Sequence, residues 1–134
     1  MQDTFSLINK TKSKIPVLPF ELIKNDILGK RYSLSLAFIS PLQMKKLNNQ
    51  YRKIDKATNI LSFPLSKTSG EILICPTTVK SEIKKFDKTY PALLQFLVIH
   101  GCLHLKGMQH SAKMEVAEKK YDKKYFHWHR SRIR

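Results

Sequence analysis

Apolar and polar residues alternate from Ser33 to Ile39, with Leu34, Leu36 and Phe38 on one face and Ser33, Ser35 and Ala37 on the other. That period of two predicts a strand. A shorter strand is expected over Thr4 to Asn9, where Phe5, Leu7 and Ile8 supply apolar surface. Between them Phe20, Ile23, Ile27 and Leu28 share one helical face, and Gly29 stands where a helix commonly ends on a left-handed residue. Ser40, Pro41 and Gln43 provide an N-cap, a first-turn proline and the partner residue of a capping box. The helix they open carries the stripe Met44, Leu47 and Tyr51. Asn59 to Leu65 and Glu71 to Cys75 read as strands joined by the polar loop Ser66 to Gly70, a length that favours antiparallel pairing. Thr77 or Thr78 is then expected to cap a helix bearing Val79, Ile83 and Phe86.

The pattern changes at Pro91. From there to about Lys106 a helix is expected with apolar residues on all sides, the mark of a helix at the centre of its domain. Ser111 can cap a last helix, whose Met114, Ala117, Tyr121, Tyr125 and Trp128 recur at spacings of three and four. Strands interleaved with helices predict an α/β (α+β) fold. Its sheet is small and mixed: four mostly parallel strands, one of them an antiparallel hairpin strand, packed with about five helices around the central one. With 134 residues and no repeat or linker, residues 1–134 read as a single domain, long enough to bury a core without metals or disulfides.

Charge adds a partner class. The chain carries 25 Lys+Arg against 10 Asp+Glu, a formal net charge of +15. Solubility does not require so large an excess, which points to polyanions and above all to nucleic acid. Residues 31–60 hold six basic residues against one acidic, and residues 111–134 hold eight against three, so each segment is net +5. The opening residues lack the basic start and apolar run of a signal peptide, and the Leu93–Leu105 stretch is too short and too interrupted to span a bilayer. Cys75 and Cys102 form no disulfide framework or C-x-x-C pair. A cytoplasmic protein with reduced thiols and no membrane partner is expected, with Cys102 packed in the core.

Candidate chemistry lies in the histidines. His100 and His104 are four apart on the central helix, so both imidazoles leave the same face. Gly107 can end that helix and let the chain turn His110 back towards them. The bland alternative is a pair of hydrogen-bonded core histidines. Two of them on so apolar a helix would each lose hydration, which a shared ligand explains better. Three imidazoles with a fourth position left open is the arrangement of catalytic rather than structural zinc. Helical zinc peptidases place a glutamate after the first histidine as general base, and here that position is Gly101, which argues against proteolysis. His127 and His129, flanking Trp128, point to opposite sides of a helix and suit a surface or RNA-contacting role better than chelation.

The run from His100 to His110 resembles the H-G-x-L-H-L-x-G-Y-D-H motif of the YbeY family, bacterial metal-dependent endoribonucleases linked to ribosomal RNA maturation. Leu47-Asn48 with Tyr51-Arg52 is similar to that family's L-N-x-x-Y-R stretch. Asp55 to Pro64 is similar to its D-K-x-T-[DN]-V-L-S-F-P stretch, and Gly70 to Ile74 to its G-D-I-x-I strand. The resemblance spans about residues 33 to 128. Met108 and Gln109 replace the usual Tyr and Asp, Glu71 replaces Asp, and the loop between the hairpin strands is short for the family.

The resemblance implies a metal-dependent endoribonuclease in which His100, His104 and His110 hold one divalent ion, Zn²⁺ in the first instance. Water activated by that ion would cleave single-stranded or ribosomal RNA. It also implies that Arg52 lines the cleft, where a guanidinium fork can clamp a phosphate. Partners would be ribosomal RNA and a ribosomal subunit or assembly proteins. Two alternatives remain at this level: a non-catalytic ribosome assembly factor with a structural or vestigial metal, and a metallohydrolase of another substrate.

Overall fold

A computed structural model describes residues 4–126 of the protein. Four strands form one sheet: β1 (Phe5–Asn9), β2 (Ser33–Phe38), β3 (Ile60–Ser66) and β4 (Ser69–Ile74), in the spatial order β1-β2-β4-β3. β1 and β4 both run parallel to β2, and β3 is antiparallel to β4. Parallel neighbours need a long crossover, which α1 (Phe20–Leu28) supplies between β1 and β2. The connection from β2 to β4 runs through α2 (Pro41–Arg52) and β3. Three further helices follow, α3 (Pro76–Ser81), α4 (Tyr90–Leu105) and α5 (Ala112–Lys124), so the expected mixed sheet with five helices is what forms.

The alternation in β2 sorts its side chains between two cores. Leu34, Leu36 and Phe38 join Ile72 and Ile74 of β4 under α1 and α4. Ala37 and Ile39 point the other way, joining Leu61, Leu73 and Met44 of α2 in a smaller cluster. α4 is apolar around its whole circumference and buries ten of its sixteen residues, Cys102 among them. It is thus the central helix. The second sheet face, which α2 covers in part, leaves Ile8 and Leu65 exposed beside a groove.

Several boundaries differ from the expectation. The β3–β4 hairpin turns through Lys67 and Thr68 alone, because pairing persists to Ser66 and Ser69 across an irregularity after Pro64. α3 is capped by neither Thr77 nor Thr78. Pro76 takes the first helical position with Cys75 before it, and the Thr78 hydroxyl donates to the Cys75 sulfur (3.3 Å). It also ends at Ser81, so Ile83 and Phe86 reach the core from the turns that follow. α4 begins one residue early because the Thr89 hydroxyl accepts from the Ala92 N–H (3.3 Å). The Ser40 and Ser111 caps form as expected, accepting from the N–H groups of Gln43 and Met114. His127, Trp128 and His129 lie outside the described residues. Among the described residues no helix is long and apolar enough to cross a membrane.

Candidate metal centre

α4 carries His100 and His104 half-buried in its last two turns, where their apolar neighbours fix the helix against the sheet. Gly107, at φ +108°, turns the chain in a conformation that side chains resist. The Met108 N–H then bonds back to the Leu103 carbonyl (3.0 Å), and exposed His110 swings over the helix end. One ligand atom from each of the three histidines lies within 4.8 Å of the others. The geometry thus gathers the trio that the spacing singles out, and among the described residues these three could hold a metal ion.

Hydrogen bonds set which nitrogen of each ring is free. His100 donates from Nδ1 to the Glu118 carboxylate (2.6 Å), and His104 donates from Nδ1 to the Met108 carbonyl (3.0 Å). Both acceptors can only accept, so each neutral ring carries its proton on Nδ1. The two Nε2 lone pairs then face one another at 3.0 Å. Neutral rings so placed would repel through those lone pairs, and a shared proton or a metal ion between them removes the repulsion, so the donor set fits a metal. Burial, followed by the neighbouring His100, pushes the His104 imidazole below its ordinary value, against the opposing pull of the Met108 carbonyl. That keeps His104 in the neutral, ligating form.

Around the histidines lies a cleft of about 410 Å³, bordered by Arg52 and by Thr58 to Ser62. Arg52 is the last residue of α2. Lys53 follows it in the left-handed conformation (φ 58°) and ends the helix there. The buried Asn48 side chain donates to the Lys56 carbonyl (2.9 Å), which pins the loop leading to the cleft wall. Asn59 in turn donates to the Glu82 carboxylate (2.9 Å). Arg52 and the three histidines therefore share one opening, and none of the residues bordering it carries a carboxylate.

Gly101 faces the sheet. A Cβ there would lie 2.9 Å from Ile72 Cδ1 and 3.0 Å from Ser62 Oγ, so a glutamate at this position would have to push those side chains aside. Gln109 is exposed, and its carbonyl accepts from the Ser111 hydroxyl (3.1 Å). The carboxylate that orients a histidine is Glu118, eighteen residues after His100, on α5 and only 9% exposed. Sequence reasoning missed it. The available signal was an acidic residue at i+4 from Met114 and i−3 from Tyr121, squarely within the apolar stripe of α5.

The chain is similar to known proteins over nearly its full length. The sequence profile of the family described as Endoribonuclease YbeY matches residues 7–126. A relative from Polynucleobacter asymbioticus bearing that description is 39% identical over 87 residues, 62% of this chain and 56% of the relative. Another, from Thermosipho melanesiensis, is 33% identical over 104 residues, 76% of this chain and 75% of the relative. The solution structure of TM1509 from Thermotoga maritima superposes with a TM-score of 0.68 at 28% identity, covering 96% of this chain and 93% of that one. The extent of the profile match, the relatives and the shared fold, together with the histidine trio, place the chain in the YbeY endoribonuclease family.

Proposed function

We propose that the chain acts, as one domain, as a metal-dependent endoribonuclease on single-stranded RNA in the cytoplasm, in the maturation of ribosomal RNA. His100, His104 and His110 would hold one divalent ion, Zn²⁺ in our reading. The observation that carries this is the pair of Nδ1 hydrogen bonds, which present two free Nε2 atoms to one point beside His110. When bound, such an ion polarises a phosphoryl oxygen and acidifies water.

The protein's own groups do the rest. Arg52, at the mouth of the same cleft, binds a non-bridging phosphate oxygen pair and offsets the charge that grows there during displacement. Glu118 and the Met108 carbonyl hold the ligand rings in their productive tautomers. The basic segments 31–60 and 111–134, each net +5, hold the RNA backbone on either side of the nearly uncharged stretch 91–110.

The test is cleavage of a single-stranded RNA by the purified chain, with metal content measured alongside. We expect cutting that stops in chelator, returns on adding Zn²⁺, and is reduced to background by His104→Ala. Arg52→Ala should retain metal and lose most of kcat. Cutting that persists in chelator, or in His104→Ala, defeats the reading.

A further inference from the structure

At the C-terminal ends of β1, β2 and β4, away from the histidines, four lysines border a shallow concavity of about 630 Å³. Lys10, Lys12 and Lys14 come from the β1–α1 loop, and Lys80 comes from α3. No acidic residue borders it, and none of the four lysines makes an ion pair among the described residues. Uncompensated like charges so close together destabilise the free protein slightly, which a polyanion relieves.

The loop that presents three of these lysines is not a loose tether. Asn9 Oδ1 accepts from both the N–H (2.9 Å) and the hydroxyl (2.6 Å) of Thr11. Thr11 Oγ1 accepts from the Ser13 N–H (3.1 Å), and Asn9 Nδ2 donates to the Ser13 carbonyl (2.8 Å). The Lys10 N–H is tied to the Phe38 carbonyl (2.9 Å) at the end of β2. Thr11 and Ser13 are thereby partly covered, and Lys10, Lys12 and Lys14 are left exposed. Lys80 is itself positioned, its ammonium 5.1 Å from the centre of the Tyr90 ring.

α2 links this patch to the cleft. Its first residue, Pro41, borders the concavity and its last, Arg52, borders the histidine cleft. Twelve helical residues span about 18 Å. Along α2, on the open face of the sheet, runs a largely apolar groove of about 420 Å³ that shares Lys10 with the patch and has Glu71 as its one carboxylate. Tyr51 and Phe63 border the groove near the cleft, their rings edge to face with centres 5.2 Å apart and Tyr51 59% exposed. Cationic groups at one end and an accessible aromatic near the other form the pattern that holds single strands by phosphate contact and base stacking.

We propose that Lys10, Lys12, Lys14 and Lys80 form a second phosphate-binding surface, which grips the RNA strand about one α2 length away from the cleft. This rests on the RNA reading above and adds the course of the strand: from the cleft, past Tyr51, along α2 to the lysine loop. The surface contributes affinity and leaves the bond-breaking step untouched.

The experiment measures kcat and KM of the metal-loaded full chain on a single-stranded RNA of about twelve nucleotides across a salt series. The variant is Lys10→Gln/Lys12→Gln/Lys14→Gln. The control, Lys67→Gln/Lys84→Gln/Lys85→Gln, removes the same charge from exposed lysines elsewhere. We expect the loop variant to raise KM about tenfold with kcat within twofold. The slope of log(kcat/KM) against log salt should become shallower by about two, since each single-strand phosphate contact contributes about 0.7. The control should shift KM less than threefold. An unchanged KM in the loop variant, a loss confined to kcat, or an equal effect in the control overturns the lysine surface while wild-type cutting stands. No RNA cutting by the wild type overturns the function reading and the surface together.

Discussion

α4 and α5 both reach the histidine cluster, and they are held in place by different balances of packing and polar contact. α4 is gripped by the core: it buries ten residues, and its two histidines ride on a helix that has nowhere to go. α5 fully buries only Met114 and Glu118, packs Ala117 and Tyr121 partly against the same core, and adds a few polar contacts. Asp26 of α1 accepts from Lys124 (2.6 Å) and Tyr125 (2.8 Å), Lys88 pairs with Asp122 (3.3 Å), and Gln95 donates to the Tyr125 carbonyl (3.0 Å). The two histidines are thus fixed by deep packing, whereas the carboxylate that meets His100 rides on a lighter apolar stripe reinforced by hydrogen bonds. Disturbing α4 should cost the fold, and disturbing α5 should cost the metal first.

The largest separation between them is expected at Glu118. Glu118→Ala should weaken Zn²⁺ binding about 10–100-fold, measured by competition with a chelating dye, while thermal unfolding of the metal-free chain changes little. Glu118→Gln should fall between, because its amide oxygen still accepts from His100. Equal affinity in all three would mean that α5 has no part in ordering the ring. In contrast, Gly101→Ala on α4 should cost about 1–3 kcal/mol in urea unfolding, since its methyl meets Ile72 and Ser62 at 2.9–3.0 Å. Between the helices, Gly107→Ala should cost about 1 kcal/mol through its positive φ, although nothing lies within 4 Å of the added carbon.

The smallest effect is a pH dependence of the α5 anchor. The Lys124 hydrogen bond, helped by that from Tyr125 and opposed by burial, holds the Asp26 carboxyl below its ordinary value of 3.8. A lowered folded-state value stabilises the protein above pH 3.8, and this is lost as pH falls through that folded value. Partial exposure limits it to under about 1 kcal/mol. Asp26→Asn should remove this part of the acid-unfolding curve, and a curve of unchanged shape would show that α5 is anchored otherwise.

The same contrast explains what could be read in advance. The histidine pair on α4 was legible because helical periodicity alone brings residues four apart onto one face, and Gly107 announced the turn that returns His110. The sheet followed from the alternation in β2 and the shortness of the hairpin. Glu118 was not legible, because which carboxylate meets a histidine eighteen residues earlier depends on how α5 lies across α4, a tertiary fact. The start of α3 was misjudged because two threonines near its N-terminus outweighed Pro76, which fixes the first helical position by its ring. Lys10 to Lys14 escaped notice as a surface because only the sheet topology brings them beside Lys80 and the start of α2.

β3 forms one wall of the cleft and is also an edge of the sheet, a rail of unpaired backbone groups that any extended chain could join. Pro64 contributes no N–H to that rail, and the pairing irregularity after it breaks the rail's regularity before Ser66. Two molecules in a crowded solution therefore cannot zip together along the whole of β3. Pairing between copies is cut short at Pro64, while the flank beside the histidines stays open to an extended strand.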